Sequence, residues 1–202
     1  MQKWYNGTMK TIKLNNFFSE SEIKYLKNEI KRDISSRKII YDKNKPDFDM
    51  LSVGDTLNVH EDLGRVLGLN INVSSVLPKV LAEVLKLHPD AKYSSSRYIE
   101  YSKKWGNGRP SLPMHKDSNI EEGDTSPYEL ERDASRTRVI SFDYHLESNI
   151  SWPLIIEGEE FDLLDNDAVL MYPEKHIHGR NHKEFQEDEY LQVIMMSFTY
   201  KI

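Results

Sequence analysis

The tripeptide His115-Lys116-Asp117 sets one imidazole and one carboxylate two residues apart. In an extended chain such residues face the same side, so the pair can aim a nitrogen and an oxygen at a common point. Further on, Ala168-Val169-Leu170-Met171-Tyr172-Pro173 reads as an apolar strand stopped by a proline, after which His176 and His178 enter a turn. Either histidine could complete a set of two imidazoles and one carboxylate, and the distance from Pro173 favours His178. On one face of an octahedron such a set suits iron(II) and leaves three positions for other ligands. Taken alone, an H-x-D tripeptide is equally a solvated loop pair, and the downstream histidine gives it weight. The chain has no cysteine, which excludes disulfides, thiolate metal sites and a cysteine nucleophile. Any metal must be held by nitrogen and oxygen.

The elements that must position these residues follow from periodicity. A chain of 202 residues fits a single domain, 1–202, with a helical part over about 1–90 and a β-rich part over about 91–202. Residues 10–18 read as a short strand entering a helix. Ser19 and Glu22 have capping-box spacing, and Ile23, Leu26 and Ile30 recur at helical intervals, which predicts a helix over about 19–34. The stretch 35–62, with its apolar piece Lys38 to Tyr41, reads as loop with one strand. A second helix is predicted from Ser74, as cap, to Leu87, with Val76, Leu77, Val80, Leu81, Val84 and Leu85 on one face and Pro89 beyond its end. After residue 92 the pattern changes to β-branched and aromatic runs: Tyr93 to Tyr101, Arg138 to Leu146, Leu154 to Glu157, Ala168 to Tyr172 and Leu191 to Tyr200. Two helices leading into many strands predict an α+β fold, mainly β.

Composition narrows the partners. The net charge is −6 and lysines are interspersed with acids, so no basic stripe of the kind that neutralises phosphates is present and nucleic acid is not expected. A small molecule or a peptide is the expected partner. No run of about 18 apolar residues suggests a membrane span, and residues 1–9 lack the apolar core of a signal peptide, so a soluble, cytoplasmic protein is expected. His60, His88 and His182 read as solvated residues.

These motifs, in this order, resemble those of the 2-oxoglutarate oxygenase superfamily, specifically its prolyl 4-hydroxylase-like bacterial and phage members. The H-x-D is followed by Arg138-Val139-Ile140-Ser141 running to Leu146, then by Trp152-Pro153 to Gly158, then by Pro173 with His178 five residues later. The resemblance covers roughly residues 93–200, and Leu14 to Ser19 looks like the family's entry into its first helix. It implies a double-stranded β-helix (jelly roll, cupin-like) with the N-terminal helices packed on the larger sheet. It also implies iron(II) held by His115, Asp117 and His178, with 2-oxoglutarate as co-substrate, O2 as oxidant and ascorbate as accessory reductant. The protein then positions and shields chemistry that belongs to the metal and co-substrate.

The far carboxylate of 2-oxoglutarate needs a cation, and the family's basic residue lies about ten positions after the distal histidine. Here that region reads Gln186-Glu187-Asp188-Glu189. Arg180 is the nearest substitute, since a guanidinium offers two parallel donors. Arg138 and Arg136 are alternatives. By resemblance Tyr101 and His145 donate hydrogen bonds to the same co-substrate. Each has a plainer reading: Arg180 as a surface charge, Tyr101 as a strand aromatic, His145 as a core histidine, and Arg138 as a partner of the acidic loop 121–133. The run Glu121 to Glu131 is a solvated loop, or a lid over the substrate. The expected activity is hydroxylation of a prolyl residue in a peptide, with a free amino acid or small metabolite as the alternative substrate. An alternative of another class is a cupin-like binding or isomerising module that holds a metal through His115, His176 and His178 without 2-oxoglutarate.

Overall fold

Two β-sheets face one another, with two helices against the outer side of the larger, in a computed structural model that describes residues 10–35, 38–41, 56–60, 65–67, 71–105, 110, 112–117 and 137–201. In chain order the elements are β1 (Ile12–Leu14), α1 (Glu20–Ser35), β2 (Lys38–Tyr41), β3 (Thr56–His60), β4 (Arg65–Leu67), α2 (Leu77–Leu87) and β5 (Lys92–Ser102). There follow β6 (Leu112–His115), β7 (Thr137–Ser148), β8 (Leu154–Ile156), β9 (Glu159–Phe161), β10 (Ala168–Met171), β11 (His178–Arg180) and β12 (Tyr190–Lys201). The major sheet runs β1-β10-β7-β12-β5-β4-β3-β2, the minor sheet β6-β11-β8-β9. Among the described residues all strand pairs are antiparallel except β2 with β3. No helix among the described residues is long and apolar enough to cross a membrane.

The helices form for the reasons their sequence suggests. Ser19 and Glu22 make the capping pair, the Ser19 N–H donating to the Glu22 carboxylate at 2.7 Å, and Leu26 and Ile30 are buried against the sheet. The second helix begins two residues later than predicted, capped at Val76 and not Ser74. The N–H groups of Val76 and Leu77 both donate to the Val73 carbonyl, at 3.0 and 2.8 Å, so a separate turn comes first. Pro78 then stands in the opening turn of α2, where its fixed φ suits the helix, and the Ser74 N–H goes to Asn72 Oδ1 instead. Val80 and Val84 are fully buried, each burial contributing about 1.5–3 kcal/mol.

Alternation along the long strands divides the major sheet into two faces. Tyr98, Ile140, Phe142, Tyr144, Leu170, Ile194, Met196 and Phe198 face the helices and share one core with Phe18, Leu26 and Val80. On the inner face, Ile99, Tyr101, Leu191 and Val193 pack with Trp152 and Phe185, while Val169 and Met171 pack with Leu154, Ile156 and Leu163. Between these two apolar clusters lie the buried polar residues Ser141, Asp143, His145, His178 and Arg180.

Several expectations change. Residues 35–62 hold two strands, β2 and β3, where one was expected, and they extend the major sheet through β4. His115 closes a strand, β6, as its place after Pro113 suggests, whereas β4, β9 and β11 were not predicted: each is three residues long, and β9 and β11 carry Gly, His or Glu in place of an apolar alternation. His88 is not solvated but stacks on Tyr200 at 3.6 Å and shares a hydrogen bond with the Tyr172 hydroxyl at 3.0 Å. Arg136, the acidic loop and the side chain of His60 lie outside the described residues.

Asn166 ties the N-terminal segment to the β-core. Its Oδ1 accepts from the Phe18 N–H at 2.7 Å and the Tyr144 hydroxyl at 3.1 Å, and its Nδ2 donates to the Phe18 carbonyl at 2.9 Å. Its φ of 69° lies in the left-handed region, which asparagine tolerates better than alanine. Asn166→Ala leaves three partners unmatched in strained backbone, and urea unfolding is expected to show a loss of about 2–4 kcal/mol.

Candidate metal centre

The imidazoles of His115 and His178 meet because β6 and β11 pair with these two residues directly opposite one another. Their ring centroids are 4.4 Å apart. Each Nδ1 faces a main-chain carbonyl two residues back, His115 to Pro113 at 2.7 Å and His178 to His176 at 3.0 Å. Carbonyls only accept, so both Nδ1 atoms carry the proton and both Nε2 atoms are left as ligands. Asp117 is brought in by its own backbone, whose N–H donates to the Pro173 carbonyl at 3.0 Å. The same turn, closed by Lys175 and His176 N–H groups on the Tyr172 carbonyl, leads the chain into His178.

The result is three donor atoms around one point. Asp117 Oδ1 lies 3.3 Å from His115 Nε2 and 3.6 Å from His178 Nε2, and ligand atoms of all three residues lie within 4.8 Å of one another. Metal bonds of about 2.1 Å at right angles would put neighbouring donors about 3 Å apart, so the group fits one octahedral divalent ion with small movements. Burial would raise the Asp117 pKa, but the His115 hydrogen bond and the charges of His178, His115 and Arg97 hold it below its usual value, in its ligating form. His178 is buried, whereas His115 and Asp117 are half-buried, so the site is open on one side. His176 does not join it. Its Nδ1 lies 3.4 Å from Thr11 Oγ1, and its ring packs edge-on against Tyr172.

Deeper between the sheets lies Arg180, two residues beyond His178 on the same strand and only 6% exposed, so it is not a surface charge. Its guanidinium donates to the Trp152 carbonyl and sits 5.3 Å from the Trp152 ring centroid. Trp152 is fixed in turn by its indole N–H on the Asn181 carbonyl at 2.6 Å and by edge contacts with Tyr101 and Phe185. Burial pulls the Arg180 pKa down to about 10, opposed by Tyr101 and Asp143, so the group remains cationic at neutral pH. His145 lies close enough to feel that charge. Burial and then Arg180 depress it to about 4, against the Leu163 main chain, Asp167 and Asp162, leaving a neutral ring whose two nitrogens have no well-formed hydrogen bond. Orphaned buried nitrogens beside a buried cation mark a space suited to an anion that also accepts hydrogen bonds.

Arg138 is not brought to this space. It pairs across the sheet with Tyr200, on the face that carries Ile140 and Phe142 toward the helices, and its charge acts on the Tyr200 hydroxyl. Gln186 and Glu189 form an exposed turn away from the site, the Gln186 N–H donating to the Glu189 carboxylate at 2.8 Å. Sequence reasoning missed Arg97 and Asp143. Both lie on inner-face positions of β5 and β7, and counting by twos from Tyr101 and His145 would have found them.

Gly179 is what allows His178 and Arg180 to reach their places. A Cβ there would stand 2.7 Å from the Leu112 carbonyl oxygen and 2.9 Å from Met114 Cα, both backbone atoms of β6. Gly179→Ala must push β11 off β6 and part the two imidazoles. The expected outcome is divalent-ion binding weakened roughly tenfold or more, with a stability loss of about 1–3 kcal/mol. Gly158, with φ of 81° in the β8–β9 turn and open space around it, is the control. Gly158→Ala is expected to cost about 1 kcal/mol and leave metal affinity unchanged, as read by calorimetry.

Neither a protein-family model nor a curated protein matches the chain. Solved structures do. HygX from Streptomyces hygroscopicus, with nickel, 2-oxoglutarate and hygromycin B bound, aligns at a TM-score of 0.60 and 12% identity over 94% of this chain and 82% of that one. A prolyl-4-hydroxylase from Pseudomonas putida aligns at 0.57 and 10% identity over 94% and 92%. SnoN, a non-heme alpha-ketoglutarate-dependent epimerase from nogalamycin biosynthesis, aligns at 0.63 and 8% identity over 94% and 78%. With this coverage and so little identity, what the chain has in common with these enzymes is their fold.

Proposed function

We propose that the chain is an iron(II)- and 2-oxoglutarate-dependent dioxygenase of the hydroxylase type, built as a double-stranded β-helix. The observation that carries this reading is one buried arginine two residues from a buried histidine of the triad, both facing the space between the sheets. His115, Asp117 and His178 would hold the metal. Arg180 would take the far carboxylate of 2-oxoglutarate through its guanidinium, with Tyr101 and the unpaired nitrogens of His145 beside it. Bound together, iron(II) and 2-oxoglutarate supply the oxidising power, with O2 consumed, 2-oxoglutarate decarboxylated to succinate and the substrate hydroxylated.

The remaining work belongs to the chain. The carbonyls of Pro113 and His176 keep both ligating imidazoles in one tautomer. Trp152, Tyr101, Phe185, Leu191 and Val193 keep water from the deep end, which strengthens every charge interaction with Arg180. HygX with nickel, 2-oxoglutarate and hygromycin B bound, and SnoN as a ketoglutarate-dependent enzyme, support this reading through a shared fold. The cupin-like alternative needs His176 as a ligand, and that side chain turns toward Thr11 and Tyr172. As to substrate, the neighbours divide between prolyl hydroxylases and enzymes of small molecules.

Succinate formation tests the reading. Purified protein given iron(II), ascorbate and 2-oxoglutarate is expected to release succinate slowly without added substrate. Failure to bind 2-oxoglutarate with iron present would refute it.

A further inference from the structure

The inner face of the major sheet changes character at the level of the metal ligands. Strand register sets its rows. Tyr101 stands beside Leu191, and Ile99 beside Val193 and His145. The next row is Arg97, Met195 and Asp143, and the one after it Ser95, Ser197 and Ser141. The first two rows are buried and lie on the side of Arg180. The last two are mixed: on the β10 side they end on the buried Val169 and Met171, whereas Ser95, Arg97, Met195 and Ser197 are partly exposed, so the β5–β12 side of this half communicates with solvent.

Asp143 is the group in that half that the proposed reaction leaves unused. It is 8% exposed, and the Ser141 hydroxyl, itself 1% exposed, donates to its Oδ1 at 2.6 Å. Burial holds its pKa above the usual carboxylate range, Asp117 adds to that, and Ser141, His178 and Arg180 only partly oppose it, so the group lacks a full charge partner. By register its side-by-side neighbours are Met195 and Val169, and the charges that act on it are those of the metal site and the proposed co-substrate clamp. A buried carboxylate is costly unless a cation or several donors face it. Arg180 serves that need only until a dicarboxylate takes its donors, after which Asp143 shares the cavity with further negative charge. In the same row Arg97 is two strands away, and its own charge acts on Asp117.

We propose that Asp143, oriented by Ser141, is a specificity residue that holds a protonated amine of the substrate, so that the substrate is a small amine-bearing molecule. A prolyl residue within a peptide offers only an uncharged amide nitrogen and would leave this carboxylate unanswered. The proposal rests on the 2-oxoglutarate reading above and deepens it.

Calorimetry on the folded protein loaded with nickel(II) and then 2-oxoglutarate tests it. The probes are the free L-amino acids, short diamines and aminosugars, each beside its N-acetylated form, together with a prolyl peptide blocked at both ends. At least one amine is expected to bind and to lose roughly tenfold or more of its affinity on acetylation. Asp143→Asn, nearly isosteric, is expected to weaken that amine by roughly tenfold or more while 2-oxoglutarate affinity does not fall, since a competing negative charge near Arg180 is removed. Ser141→Ala keeps the carboxylate but frees its orientation, and should weaken the amine roughly threefold, a readout that survives if the Asn variant does not fold.

The proposal is overturned if no amine in the panel binds, if the acetylated forms or the blocked peptide bind as well as the amines, or if amine affinity is the same in the Asn variant. An Asn variant that loses 2-oxoglutarate as much as amine also overturns it, making Asp143 a structural counter-ion of Arg180. If 2-oxoglutarate itself fails to bind before any amine is added, both readings fall. If it binds and the amines do not, only this one does.

Discussion

His178→Ala is expected to abolish 2-oxoglutarate turnover, whereas His176→Ala keeps most of it. The two residues are neighbours in sequence with opposite surroundings. His178 Nε2 lies 3.6 Å from Asp117 Oδ1 and its ring is buried against that of His115. His176 contributes its carbonyl, which accepts the His178 Nδ1 proton and is unchanged by alanine. Loss of a group that merely orients a metal ligand costs roughly 10–100-fold in affinity, so loss of a ligand should exceed about 100-fold. Succinate release at saturating 2-oxoglutarate, with iron(II) varied, separates the two variants. Equal damage in both, or a dead 176 variant beside an active 178 variant, would overturn the assignment.

Arg180→Ala is expected to raise the 2-oxoglutarate requirement sharply. A buried dicarboxylate end would lose its charged partner, at a cost of about 3 kcal/mol, or roughly a hundredfold in affinity. Arg180→Lys restores charge without the paired donors and should recover about tenfold of that loss. The guanidinium also donates to Trp152 and lies over its ring, so thermal unfolding of each variant must be read alongside. An unchanged requirement in a folded Ala variant would remove Arg180 from the clamp.

The parts of this molecule that were legible in its sequence are those in which one residue type repeats at the period of its element. α1 announces itself through Ser19, Glu22, Leu26 and Ile30, and the long strands β5, β7 and β12 through their runs of β-branched and aromatic residues. The triad was legible for a different reason: H-x-D and a histidine after a strand-ending proline are local arrangements, although their convergence depends on the pairing of β6 with β11. That pairing was hidden. β11 is His178-Gly179-Arg180, with no apolar residue to signal a strand, and its extended form follows from tight backbone contact with β6. The side of the sheet taken by Arg138 was hidden for a related reason. An arginine near the start of a strand can face either way, and only the pairing with Tyr200 sets its side. The start of α2 shifted because Ser74 had a closer partner in Asn72, a competition between turn and cap that propensity does not resolve.

Anaerobic titration of the purified protein with iron(II), with 2-oxoglutarate present, bears most directly on whether His115, Asp117 and His178 form one metal site. The expected result is one equivalent of iron per chain, accompanied by the visible charge-transfer absorption of iron chelated by 2-oxoglutarate, and both lost in Asp117→Ala. Stoichiometric binding that persists unchanged when Asp117, His115 or His178 is replaced would place the metal elsewhere and contradict the account.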